Sequence, residues 1–210
     1  MRTLSQIAFQ PVRDPVGRDM DDLLAIYQEA IPARERKPAA ELRAMAVSPC
    51  QHLLLARDGD AAVGFLVMFL GKRARLLEYM AVEPRRRGLG LGAALFRRAQ
   101  AAAGPRPLLV EVEAERDPAP GADLRRRRID FYRRLGCRRI AGLDYILPLP
   151  GDGAPPAMDL LVTGIDANLL TRPLLATWLA EIYAGVYRLG PEDPRLEAMI
   201  SALPDASWLD

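Results

Sequence analysis

The chain is predicted to be an α/β protein, a mixed central sheet flanked by helices, with extra helices at its C-terminal end. Three observations carry this expectation. Apolar segments bounded by turn residues follow one another over residues 51–82. Residues 76–103 read as an apolar strand, LLEYMAV, a basic glycine-rich turn, EPRRRGLGLG, and an Ala/Leu-rich run of helical period, AALFRRAQAAA. Beyond residue 164, apolar residues recur at helical spacing.

In chain order, Ile7 and Phe9 alternate with polar neighbours and suit a short strand over 5–12, which Asp14, Pro15 and Gly17 break. Asp19 or Asp21 is placed to cap a helix carrying Leu23, Leu24, Ile26, Tyr27 and Ala30, ended by Pro32. A charged connector over 32–38 leads to a second helix over 39–47, with Leu42, Met45 and Ala46 facing inward. Strands over 52–57 and 61–70 flank Asp58-Gly59-Asp60, a hairpin signal because Asp-Gly suits the positive φ angles of a two-residue turn. His52, the single histidine, reads as structural on such a strand. A third antiparallel strand over 74–82 runs into the glycine loop.

Gly104 and Pro105 stop the helix of 91–103, and a strand over 107–113 follows with Leu108, Val110 and Val112 on one face. A strand, helix, strand unit of this length is a right-handed crossover, which sets its two strands parallel and adjacent. A helix over 124–135, with Asp123 as candidate cap, stops at Gly136, and strands over 140–150 and 157–163 close the sheet. Leu170, Leu174, Leu175, Trp178, Leu179, Ile182, Tyr183 and Val186 form a last apolar stripe, and Asp193-Pro194 caps a short final helix. Residues 1–165 are expected to form one domain. Residues 166–210 form a helical extension packed on that domain or, in a homodimer, on a partner subunit.

Composition bounds the function. With 50% hydrophobic and 27% charged residues and a net charge of +2, the chain is an ordinary globular protein, neither disordered nor fibrous. More than half the arginines lie between Arg85 and Arg139, a basic rim suited to a phosphate site. The balanced net charge and the lack of interleaved aromatics argue against a nucleic-acid partner. Cys50 and Cys137 sit in no metal motif, so a reduced, cytoplasmic chain without a bound metal is expected. The first residues show no apolar signal region, and the longest apolar run, 61–70, is too short to span a bilayer as a helix.

The glycine loop points to chemistry. Gly88, Gly90 and Gly92 carry no Cβ, so backbone N–H groups can approach a ligand together, and the following helix adds its unsatisfied first-turn N–H groups and positive dipole end. Polyphosphate is the natural guest. Arg87, Gly90 and Gly92 fit R-x-x-G-x-G, and Val82, Pro84 and Arg87 fit V-x-P-x-x-R. One helix and one strand later, residues 129–138 read IDFYRRLGCR. On these paired motifs the chain resembles the GNAT superfamily of acyl-CoA N-acyltransferases.

That resemblance implies a sheet whose two parallel strands splay, and an acyl donor, most simply acetyl-CoA. Arg87, Gly88, Leu89, Gly90 and Gly92 would hold its diphosphate, with the backbone of Met80, Ala81 and Val82 facing the pantetheine amides and the thioester oxygen. It implies Glu78, four residues before Val82, as general base and Tyr132 as the acid that meets the departing thiolate. The first two helices and their connector would wall the acceptor site. Two places depart from the family pattern: Arg125 to Arg128 replace a common asparagine and small residue, and Cys137 replaces a phenylalanine. Cys137 reads as a small buried hydrophobe.

The residues give their own reasons. An amine with a pKa near ~10.4 needs a base at neutral pH, and Glu78 is a lone carboxylate in an apolar strand, costly to bury without a partner. The alternative for Glu78 is an ion pair with a neighbouring arginine. Glu111 and Glu113 share one face of the adjacent strand, where they would attract a cationic acceptor or replace Glu78 as base. The acceptor is then an amine on a small molecule or peptide. Two other readings compete. Gly88, Gly90 and Ala93 also satisfy the dinucleotide pattern G-x-G-x-x-A with Glu111 downstream, although residues 83–87 separate the strand from the first glycine. A non-catalytic coenzyme-binding regulatory module would keep the same fold.

Overall fold

The computed structural model describes residues 6–149 and 155–210. The fold is mixed α/β, with mostly antiparallel strands flanked by helices. Two compact units divide the chain. One runs to Leu70 and resumes over Leu77–Ala102; the other takes Gly71–Leu76 and Ala103–Asp210.

The first unit contains β1 (Ile7–Pro11), α1 (Arg18–Ala30), α2 (Ala39–Ala46), β2 (Gln51–Asp58), β3 (Ala61–Leu70), most of β4 (Arg75–Val82) and α3 (Leu91–Ala103). Its strands lie in the order β1, β2, β3, β4, and β2 is antiparallel to both β1 and β3. The middle of β2 and nearly all of β3 are buried on both faces, so they read as continuous apolar runs rather than alternating ones. Met20, Leu23 and Tyr27 of α1 and Leu42 of α2 pack with Leu53, Leu55, Phe65 and Val67 of the sheet. Gly64 of β3 is dictated by packing: a Cβ there would stand 2.9 Å from the Ala81 carbonyl oxygen and 3.0 Å from Leu95 of α3.

Two local expectations change. The N-cap of α1 is Gly17, without a side-chain cap, because Asp19 is engaged by Arg57 (Nε 3.1 Å, Nη2 2.5 Å) and Gln10 (2.8 Å). The hairpin loop is Gly59-Asp60, and Gly59 (φ 61°) alone of the pair has positive φ, the type II′ pattern. Asp58 stays in the strand, where its carboxylate pairs with Arg86 at 2.9 Å.

The second unit holds the start of β4, then β5 (Leu108–Glu113), α4 (Ala122–Arg134), β6 (Arg138–Arg139), β7 (Met158–Thr163), β8 (Leu169–Thr171), α5 (Arg172–Val186), α6 (Pro194–Ala202) and β9 (Ala206–Trp208). The Arg75 N–H donates to the Pro107 carbonyl at 2.8 Å, so β4 and β5 start side by side as the crossover requires. β7 lies antiparallel between β5 and β6.

The expected strand over 140–150 does not form over its described residues, and the ladder is confined to β6 just before it. Among the described residues between β6 and β7 the pairing is limited to single bridges, Ile140 with Leu209 and Tyr145 with Met158, because Gly142 and Pro148 interrupt a regular ladder. Of the expected loop over 151–156, residues 151–154 lie outside the described residues. The β8–β9 pair was not anticipated, since three-residue strands carry no visible period. Asp193 caps α6 through the Arg195 N–H at 3.0 Å, as expected. α4 begins instead at Gly121 in the left-handed region (φ 103°), with Asp123 in its first turn.

The stripe on α5 buries Leu175, Trp178, Leu179, Ile182, Tyr183 and Val186, while Leu174 stays 40% exposed. Glu181 fastens this helix to the turn before β4. Its carboxylate accepts the N–H groups of Lys72 (2.5 Å), Arg73 (3.0 Å) and Ala74 (3.1 Å).

Candidate functional site

The glycine loop leaves the end of β4 through a single 3-10 turn, Pro84–Arg86, capped by the Glu83 side chain, which accepts the Arg85 N–H at 3.2 Å. Gly88 (φ 80°) and Gly90 (φ 82°) then adopt left-handed conformations that only glycine reaches without strain. The bond from the Ala94 N–H to the Gly90 carbonyl (3.1 Å) opens α3, so the N–H groups from Leu91 to Ala93 precede the helical ladder. Gly92 lies in that first turn. The arginines divide their work. Arg86 ties the loop to the β2–β3 hairpin through Asp58, whereas the Arg87 side chain is exposed and lies against its own strand end, with Nε 3.4 Å from the Val82 carbonyl.

The middle of β4 is unusual for a strand so hydrophobic. Glu78, Tyr79 and Met80 are partly exposed, yet the Glu78 side chain is only 2% exposed, so its exposure lies on the main chain. Its partner is a lysine, not the arginine the sequence suggested: Lys37 Nζ sits 2.6 Å from Glu78 Oε2 and 3.7 Å from Glu41 Oε1. The other carboxylate oxygen, Oε1, is buried and has no hydrogen-bond partner among the described residues.

Two tyrosines deliver Lys37. The Lys37 N–H donates to the Tyr27 hydroxyl at 2.7 Å, the Tyr79 hydroxyl donates to the Glu35 carbonyl at 2.9 Å, and the two rings meet edge to face at 5.1 Å. The connector is therefore a clamped segment rather than a solvated loop. Lys37 carried no local signal for this, since its partner lies 41 residues away in sequence.

In the second unit Tyr132 is 8% exposed on α4, with Phe131 edge to face at 5.1 Å. Burial pushes its phenol well above the ordinary range, with Arg128 opposing more weakly. It stays neutral at physiological pH, fit to donate a hydrogen bond. Cys137 is buried and its thiol is pushed up to about 12 by desolvation, which makes it an inert core residue. Arg125 is 4% exposed and bonds the carbonyls of Asp117 (2.7 Å), Ala119 (2.6 Å) and Pro120 (3.1 Å). It secures the loop before α4.

Glu111 is not an open acidic wall. It accepts the hydroxyl of Tyr187 at 2.8 and 2.7 Å to its two oxygens, and that of Tyr145. Burial, reinforced by Glu111, holds the Tyr145 phenol far above its usual range. Glu113 lies 4.0 Å from Arg128. Neither tyrosine was singled out from sequence; Tyr187 is 76 residues from its partner. Among the described residues no group of three or more His, Cys, Asp or Glu side chains is arranged to hold a metal, and no helix is long and apolar enough to cross a membrane.

A strand, a left-handed glycine loop and a helix N-terminus follow one another in this α/β protein. Its relatives narrow that class. The chain belongs to the GNAT acetyltransferase family, whose domain profile matches residues 34–138.

Solved structures share the fold. An acetyltransferase assigned to the GNAT family from Bacteroides thetaiotaomicron superposes with a TM-score of 0.71 at 24% identity, over 87% of this chain and 99% of its own. Arabidopsis thaliana NAA60, solved in complex with acetyl-CoA, gives 0.58 at 17% identity over 77% and 99%. A GNAT family acetyltransferase from Elizabethkingia anophelis with acetyl-CoA bound gives 0.51 at 16% over 77% and 99%. Among curated protein sequences none matches this chain. The nicotinamide alternative gives way to the family assignment, and the 3-10 turn between strand and first glycine is the structural difference the sequence had indicated.

Proposed function

We propose that the chain is an acetyl-CoA-dependent N-acetyltransferase acting on an amine, with residues 1–165 as the acyltransferase domain and 166–210 as its helical extension. The observation that carries this reading is the sequence of parts along β4 and its loop: a buried carboxylate with one oxygen that has no hydrogen-bond partner among the described residues, a partly exposed stretch of strand over Glu78, Tyr79 and Met80, then left-handed glycines opening a helix. Arg87 and the amides of Gly88, Leu89, Gly90 and Gly92 bind the coenzyme diphosphate. The main chain of Met80, Ala81 and Val82 orients the pantetheine and the carbonyl to be attacked. Bound acetyl-CoA supplies the activated acetyl group as a thioester.

Glu78 takes a proton from the acceptor ammonium, directly or through water. Tyr132, a neutral phenol that burial makes still harder to ionise, donates a hydrogen bond to the developing thiolate, which stabilises it without requiring full proton transfer. Glu111, held by two tyrosine hydroxyls, and Glu113, beside Arg128, are not assigned to acceptor binding.

Calorimetry with CoA and acetyl-CoA, with NAD as counter-ligand, tests the coenzyme assignment. An amine panel with Glu78→Gln and Tyr132→Phe tests the roles: turnover should fall while coenzyme affinity stays. A second reading, a coenzyme-binding regulatory module, draws on Lys37, because a carboxylate already paired need not act as a base. Coenzyme binding without turnover on any amine would favour it.

A further inference from the structure

Lysine is nearly absent from this chain: Lys37 and Lys72 stand against 27 arginines. A guanidinium stays protonated in proteins and is no substitute for an amine nucleophile. Lys72 is exposed in the turn before β4. Lys37 has a 16% exposed side chain. It is held by the tyrosine clamp with its primary ammonium 2.6 Å from the carboxylate proposed to deprotonate an acceptor ammonium. The charged and titratable groups around that pair include Glu41 on α2, Glu35 and Arg36 of the connector, Tyr27 on α1 and Tyr79 on β4.

We infer that Lys37 is itself an acetyl acceptor, a self-acetylation site served by Glu78; the inference rests on the acetyltransferase reading above. Glu78 removes one proton from the Lys37 ammonium and later passes it to solvent. The freed nitrogen lone pair attacks the thioester carbonyl, an N–C bond forms and the C–S bond breaks. The second nitrogen proton is lost as the amide forms and ends on the departing sulfur, so the products are Nε-acetyl-Lys37 and CoA thiol. The acetylated side chain carries no cation, and Glu78 is left without this ion pair.

The test is to incubate the purified chain with acetyl-CoA and follow acetylation by intact mass and peptide mapping, with Lys72 as internal reference for uncatalysed labelling. General-base assistance contributes roughly 10²–10⁴, so Lys37 is expected to label at least about a hundredfold faster than Lys72. The rate should not depend on protein concentration. Glu78→Gln should abolish labelling of Lys37 and spare that of Lys72, and Lys37→Arg should keep coenzyme binding with no label at 37.

An unlabelled Lys37, labelling no faster than Lys72, or labelling indifferent to Glu78→Gln in a variant that melts like the wild type would overturn the inference. Should that variant not fold, the Lys37 to Lys72 ratio and the concentration dependence decide. Calorimetry separates the two levels: coenzyme bound without labelling overturns self-acetylation alone, whereas no coenzyme binding overturns the proposed function with it.

Discussion

Replacing Lys37 with methionine keeps an unbranched side chain one atom shorter and removes its charge. At 2.6 Å, a pair of unit charges in an effective dielectric near 20 attracts by about 6 kcal/mol, and part of that offsets the cost of dehydrating both groups. Breaking the pair does not return Glu78 to water, because its side chain is 2% exposed and its second oxygen already lacks a partner. The loss should therefore resemble that of other buried pairs cut on one side, about 3–5 kcal/mol. In a chain of this length that is a drop in Tm of about 6–20 °C.

Glu78→Gln should cost less, because Lys37 keeps Glu41 at 3.7 Å and some solvent. The double variant has no buried charge to strand, so it should be more stable than the sum of the single losses by about 2 kcal/mol. Urea unfolding of the four proteins measures this coupling. Additive single effects, or a Lys37→Met cost below about 1 kcal/mol, would mean that the pair is solvated in solution and that the clamped connector is wrong.

Other perturbations test separate parts of the molecule. Glu181→Ala removes the acceptor for three backbone N–H groups at the turn before β4 and should cost about 1–3 kcal/mol, read by thermal unfolding; an unchanged Tm would show that α5 is held by its apolar stripe alone. Gly90→Val forces a branched side chain into φ 82° at a cost of roughly 1–2 kcal/mol. Coenzyme affinity should fall about tenfold or more by calorimetry, and unchanged affinity would detach the loop from phosphate binding.

Burial first and Arg13 second lower the pKa of His52 below its unfolded value near ~6.5. The stabilisation from keeping it neutral is present above that value and is lost as pH falls through the folded pKa. Wild type should therefore lose more stability than His52→Gln between about pH 7.5 and 5.5 in urea unfolding. Equal losses would show that His52 is solvated.

The parts of this protein that are local in sequence were legible in it. Gly88 and Gly90 take positive φ, Pro194 follows the Asp193 cap, and α3 starts at Leu91, because each depends on conformational limits of a few neighbouring residues. The paired motifs around Gly90 and Tyr132 were enough to reach the family for the same reason: a loop that grips phosphate must be built from contiguous backbone. Caps and closing strands were less legible. Asp19 could cap α1 on local grounds, but Arg57 on β2 competes for it and wins with two bonds.

Only the folded chain decided who neutralises Glu78, which phenols hold Glu111, and what anchors α5. Lys37 meets Glu78 across 41 residues, Tyr187 meets Glu111 across 76, and Glu181 meets Lys72 across 109. Hydrophobic period fixes which face of a strand or helix turns inward, but it assigns no partner to a charge on that face. That choice is made when separate segments pack and a carboxylate losing water must take whichever donor the neighbouring element brings within hydrogen-bonding distance.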